Sequence, residues 1–95
     1  MPAYVIVDIE VTDPRRYEDY KRQAQETVHA FGGRYLVRGG VAERLEGTWE
    51  PRRVVVLEFP DVDAARTWWS SEAYRPAKAL RHATATTSMV LVEGT

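Results

Sequence analysis

The order of elements legible in this chain predicts an α+β fold of the ferredoxin-like type, β-α-β-β-α-β, with two helices on one face of a four-stranded antiparallel sheet. Three observations carry that prediction. Tyr4 to Val11 and Arg53 to Pro60 read as strands, and two stretches that begin at an aspartate repeat their apolar residues at steps of three and four. A final alternating run, Thr86 to Val92, supplies the last strand. In this topology the strands lie in the order four, one, three, two.

Arg53 to Pro60, reading Arg-Val-Val-Val-Leu-Glu-Phe-Pro, is the expected central strand, because four branched apolar residues in succession suit a strand covered on both faces. Glu58 lies inside it and needs a countercharge, since an unpaired buried carboxylate is costly. In the first strand Val5, Val7, Ile9 and Val11 share one face, and Tyr4, Ile6, Asp8 and Glu10 share the other. Thr12-Asp13-Pro14 then opens a helix, with Asp13 as acceptor for an orphan amide and Pro14 at the first helical position. Its inward positions are Tyr17, Tyr20, Ala24, Val28 and Phe31, and Gly32-Gly33 ends it.

Arg34 to Arg38 resumes strand character. Gly39-Gly40 reads as a bulge, after which Val41 to Glu46 continues the strand to a turn at Gly47 to Glu50. Counting back from that turn brings Arg38 opposite Glu58, so the expected countercharge is Arg38. Beyond Pro60, Asp61 caps a second helix carrying Ala64, Ala65, Trp68 and Trp69. Ser70-Ser71 breaks it, and a further helical piece runs from Glu72 to about His82 with Tyr74, Ala77 and Leu80 inward.

With 95 residues the chain is expected to form one domain, residues 1–95. Net charge is −1 with acids and bases interleaved, which disfavours nucleic acid and anionic membrane as partners. The absence of cysteine excludes disulfides, thiolate metal sites and a cysteine nucleophile. Met1-Pro2-Ala3 leads straight into a strand without a basic leader or a long apolar segment, so a cytoplasmic location is expected. The helix-side face of the sheet collects Val5, Val7, Ile9, Val11, Val55, Leu57, Phe59 and Leu91. Tyr4, Ile6, Val54, Val56, Val90 and Val92 are left on the open face, a patch large enough to predict a homodimer joined through its sheets.

Arg38-Gly39-Gly40, Leu45-Glu46-Gly47 with Trp49 and Pro51, Arg53, Glu58-Phe59-Pro60, Tyr74 and Arg81 together resemble the small bacterial family called domain of unknown function 1330, from the first strand to Glu93-Gly94. The resemblance implies a dimeric α/β barrel, in which two ferredoxin-like subunits join through their sheets. It further implies a superfamily that includes cofactor-free antibiotic-biosynthesis-type monooxygenases, haem-degrading enzymes and muconolactone isomerase-like proteins.

Several residues are candidates for chemistry, each with a plainer role beside it. Arg38 and Glu58 would orient a polar ligand, or pin the hairpin as an ion pair. Asp8 and Glu10 are either paired carboxylates for acid and base work or charges near a strand end. His29 and His82 are candidate bases or haem ligands, yet each ends a helix, where the dipole alone favours histidine. Trp68, Trp69, Tyr74, Tyr17 and Tyr20 line a pocket or fill the core. Trp68 and Trp69 cannot both face inward, so one of them covers a partner or a cleft mouth. The family-matching polar residues Arg81, Arg53 and Tyr74 belong beside that pocket. No spacing for a metal, a bound phosphate or a catalytic triad is present, so no cofactor is implied.

Two functions follow. One is a dimer binding a small organic molecule as a cofactor-independent monooxygenase or isomerase, with Arg38, Glu58, Arg53, Tyr74, Arg81 and Trp69 as ligand-binding residues. The other is a non-catalytic binding or accessory module. A pocket between helices and sheet with a convergent charged group favours the first, and a filled core the second.

Overall fold

A computed structural model describes residues 1–95. The elements are β1 (Ala3–Val11), α1 (Pro14–Ala30), β2 (Arg34–Arg38), β3 (Arg53–Phe59), α2 (Val62–Ser70), α3 (Arg75–Thr84) and β4 (Ala85–Glu93). All strand pairs are antiparallel and the sheet order is β2-β3-β1-β4, as the element order predicts. Burial along β1 alternates with period two, so Val5, Val7 and Ile9 face the helices and are at most 4% exposed.

Local chemistry sets the helix ends. Asp13 accepts from the Arg16 amide at 3.3 Å and Pro14 occupies the first turn of α1. At the other end the Gly33 amide donates to the Val28 carbonyl at 2.8 Å and the Gly32 amide to that of His29 at 3.1 Å. This paired closure needs a left-handed residue, and Gly32 supplies it with φ +79°. Asp61 accepts from the Ala64 amide at 2.7 Å to start α2. Ser71 stops α2: its hydroxyl donates to the Trp68 carbonyl at 2.8 Å and accepts from the Tyr74 amide at 3.1 Å, which redirects the chain into α3.

The core lies between the helices and the sheet. Trp68, Tyr74 and Phe59 are its largest fully buried side chains, with ring centroids 4.3 Å apart for Trp68 and Tyr74 and 5.4 Å for Trp68 and Phe59. On the other face, Tyr4, Ile6, Val54 and Val56 are half-buried, while Val90 and Val92 are 54% and 44% exposed. Leu91 lies on the helix side opposite Val5 but at the edge strand, where it is exposed.

The hairpin differs from expectation. The register irregularity falls between Tyr35 and Val37, ahead of the glycine pair, and β2 ends at Arg38. Residues 40–50 form no strand and every one of them is exposed. Gly39, at φ +76°, turns the chain out of the sheet, its amide held by the Val54 carbonyl at 2.8 Å. Without a continued strand to count back from, the register changes: Arg34 stands opposite Glu58, and Arg38 stands opposite Val55. Glu58 is therefore answered by Arg34, Nε to Oε1 at 2.7 Å, and Arg38 has no part in that pair.

Candidate functional site

Two cavities on the helix side of the sheet bring candidate site residues together. The inner one lies between α1 and strands β1 to β3, and its free space of about 30 Å³ is room for one water. Its polar lining is Tyr17, Tyr20, Tyr35, Arg38, Arg53 and Lys21. The outer one is a cleft of about 640 Å³ between α2, α3 and β4, with Arg81, His82, Thr87, Trp69, Arg66 and Met89 among its walls. Met89 belongs to both walls. No carboxylate lines either cavity.

The charge that stands out is Arg81. It projects from the last turn of α3 into the core and is 3% exposed. One terminal nitrogen donates to Thr87 Oγ1 at 3.2 Å and lies 4.0 Å from Met89 Sδ, and the other contacts His82 Nε2 at 3.2 Å. Because a guanidinium has no acceptor, His82 Nε2 must be the acceptor there. Seven ion pairs bind arginine or lysine to carboxylates in this chain, and none of them includes Arg81 or Arg53. The Nε–H groups of Arg53 and Arg81 are buried and have no partner. A buried cation without a counterion, and a buried donor without an acceptor, are both costly.

Around these two arginines stand four phenols. Tyr20 and Tyr74 are joined hydroxyl to hydroxyl at 3.1 Å, and the Arg53 guanidinium sits 5.9 Å from the centre of the Tyr17 ring. Burial pushes the Tyr17, Tyr20, Tyr35 and Tyr74 hydroxyls above the ordinary tyrosine value, partly offset at each by nearby arginines. Phenols held protonated can donate to an anion and cannot act as bases near neutral pH.

The residues expected at a site are divided by the fold. Arg38 and Arg53 line the inner cavity, and Arg81 and Trp69 line the cleft. Tyr74 is wholly buried behind both, stacked on Trp68, whereas Glu58 lies on the opposite face of the sheet with Arg34. Trp68 faces in and Trp69 faces out, 48% exposed, with Lys78 Nζ 3.7 Å from its ring centre. His29 is exposed on the last turn of α1, and no three His, Asp or Glu side chains converge as metal ligands do.

Asp8 and Glu10 do not act as a pair. Asp8 Oδ2 accepts from Trp49 Nε1 at 2.8 Å and its Oδ1 from the Arg52 amide at 2.9 Å. These bonds, led by the one from Trp49, hold the Asp8 carboxyl below its ordinary range. Glu10 meets the Arg52 guanidinium at 3.6 Å instead. Sequence reasoning missed Tyr35, Thr87 and Met89 as lining residues; the strand alternation that puts Thr87 and Met89 beside Leu91 on the helix side was the available signal.

A four-stranded antiparallel sheet in this strand order, with all helices on one face, defines an α+β protein of ferredoxin-like fold. The chain belongs to the family described as domain of unknown function DUF1330, whose model matches residues 2–95. No functionally curated protein matches it. Among solved structures it is similar to a protein of unknown function from Rhodopseudomonas palustris, with TM-score 0.81 and 18% identity over 99% of this chain and 82% of that one. It is similar in fold to SnoaB, a cofactor-independent oxygenase from Streptomyces nogalater, with TM-score 0.69 and 15% identity over 99% and 93% of the two chains. A dimeric ferredoxin-like protein of unknown function from Jannaschia sp. CCS1 superposes with TM-score 0.72 and 15% identity, over 99% and 100%. No helix is long and apolar enough to cross a membrane.

Proposed function

We propose that this protein is a homodimer that binds a small organic anion on the helix side of each sheet. The ring of the ligand lies in the cleft against Trp69 and Met89, and its negative oxygen meets Arg81. The observation that carries this reading is the guanidinium of Arg81, which is 3% exposed and lacks any carboxylate partner. An anion in the cleft would offset the cost of burying that charge, in the way that only a paired charge is tolerated inside a protein. The cleft is also of the size that small ligands occupy, whereas the inner cavity is not.

Such a site favours substrates that become anions by delocalising charge onto oxygen, which phenols and enolisable ketones do. Oxygenation without a cofactor and isomerisation next to a carbonyl both run through anions of that kind, and the arginines on the cleft wall, Arg81 and Arg66, are suited to stabilise them. SnoaB, similar in fold, is a cofactor-independent oxygenase. One observation favours the second reading, a binding or accessory module: the only histidine on the cleft wall is already an acceptor for Arg81, so no free base faces the ligand.

Calorimetric titration with 4-hydroxybenzoate and with its methyl ester tests the proposal. The acid should bind and the ester should bind at least about tenfold more weakly, a difference of about 1.4 kcal/mol. Arg81→Met should bring the acid down to the level of the ester. Equal affinity for both in the unmodified protein would refute an anion site. With binding established, oxygen uptake with phenolic ligands identifies the oxygenase and deuterium exchange beside a ligand carbonyl identifies the isomerase. Tight binding with neither signal identifies the accessory module.

A further inference from the structure

Residues 40–50 have no role in the fold described so far. All are exposed, and within their own chain Val41 and Leu45 touch almost nothing, at 105% and 91% exposure. The root of this segment is nonetheless fixed on both sides. Its outgoing limb is held by the Gly39 amide on the Val54 carbonyl, and its returning limb by both oxygens of Asp8, one on the Trp49 indole and one on the Arg52 amide. Asp8 stands on the open face of the central strand β1, opposite Val54 on one side and Ser88 on the other. The Trp49 indole, 57% exposed, is thereby tied to the open face at the margin of the apolar patch formed by Ile6, Val54, Val56 and Val90.

We infer that residues 40–50 are an arm that closes over a second copy of this chain, with Trp49 as an anchor of the subunit contact and Asp8 as the residue that positions it. The inference deepens the proposed pairing of two copies through their open faces and rests on it. Whatever covers the apolar patch must also meet Trp49, because the indole and the patch share one surface. The charge pattern selects a copy of the same chain as the occupant. An interface about a two-fold axis apposes one surface with itself, so unpaired like charges would repel. Here the charges of the face are used within the chain: Arg34 with Glu58 at one end, Arg52 with Glu10 at the other, and Asp8 with Trp49 and Arg52 between. Apolar residues that protrude from a fixed root, beside an apolar sheet with its charges paired, suit a surface made for an identical partner.

Sedimentation over a dilution series tests this with two variants, Trp49→Ala and the double substitution Val41→Ser with Leu45→Ser. Val41 and Leu45 are exposed and Trp49 ties only the exposed segment to Asp8, so the sheet and helices should persist and circular dichroism should stay unchanged. The unmodified protein should sediment as a dimer at micromolar concentration. Trp49→Ala should weaken the dimer by at least about thirtyfold, the loss expected for an interface anchor, and the double variant should weaken it measurably as well. If both variants associate as tightly as the unmodified protein, the arm inference falls while pairing through the open faces stands. An unmodified chain that stays monomeric overturns both.

Discussion

At the scale of single residues, the joined hydroxyls of Tyr20 and Tyr74 show how polarity is managed inside this protein. Each ring is buried, and each hydroxyl has the other as its partner, at 3.1 Å. Truncating one leaves the other without a partner in a medium where water is excluded. Tyr74→Phe should therefore cost about 1 to 3 kcal/mol in urea denaturation, whereas the double variant Tyr20→Phe with Tyr74→Phe should recover much of that loss. A double variant that loses the sum of the two single effects would mean that the pair is not coupled.

Arg81 and Arg53 lack such an answer within the chain. Their residue type and family match were visible in the sequence, and so was the contrast between Trp68 and Trp69, because helical spacing forces adjacent residues apart. The missing countercharge was not visible. Which cations lack a carboxylate depends on side chains far apart in the chain, such as Arg52 with Glu10, and spacing along the chain carries no trace of them.

At the scale of elements, six strand and helix starts were legible because each has a local cause: period-two alternation, an aspartate cap, a proline in the first turn or a glycine closure. The β2–β3 connection was not. Strand-like composition in Val41 to Glu46 suggested a long hairpin, but nothing pairs with that segment within one chain, and Gly39 directs it away from the sheet. One consequence is testable. Arg38 is exposed, bonds Gln25 at 2.8 Å and lies 4.4 Å from the centre of the Tyr35 ring, while Glu58 keeps Arg34. Arg38→Ala should accordingly change stability by less than about 1 kcal/mol. A loss of about 3 kcal/mol, as follows from stranding a buried carboxylate, would restore the register counted from the sequence.

The root of the arm has its own pH dependence. A carboxyl whose folded pKa is depressed contributes its full stabilisation above the unfolded value, near the ordinary 3.8, and loses it as pH falls through the lower folded value. The indole ¹⁵N–¹H resonance of Trp49 should therefore hold still from about pH 7 to about pH 5 and move only in stronger acid, with its midpoint below that of a free aspartate. Movement centred above the ordinary aspartate value would contradict the hydrogen bonds drawn at Asp8.

At the scale of the whole molecule, one sheet serves two surfaces of different character. Its helix side packs Trp68, Tyr74 and Phe59 into the core beside an inner cavity and an outer cleft, each lined by cations and no carboxylate. Its other side is apolar, with every charge matched in place, and carries an arm rooted at Asp8. In the proposed function the first surface receives a small anion and the second a copy of the same chain. The fold was legible in the sequence because it follows from alternation summed over whole strands. The character of the cleft lies in Arg81 of α3, Thr87 and Met89 of β4 and Trp69 of α2 meeting at one wall, which no local spacing encodes.

The most direct test of that cleft uses 4-nitrophenol, whose phenolate absorbs in the visible, in buffer about one pH unit below its own pKa. Binding should convert added nitrophenol to phenolate in a saturable manner, and the conversion should vanish in the Arg81→Met variant. Binding that leaves the phenolate band unchanged, or diminishes it, would show that the site prefers the neutral ligand and would contradict the account.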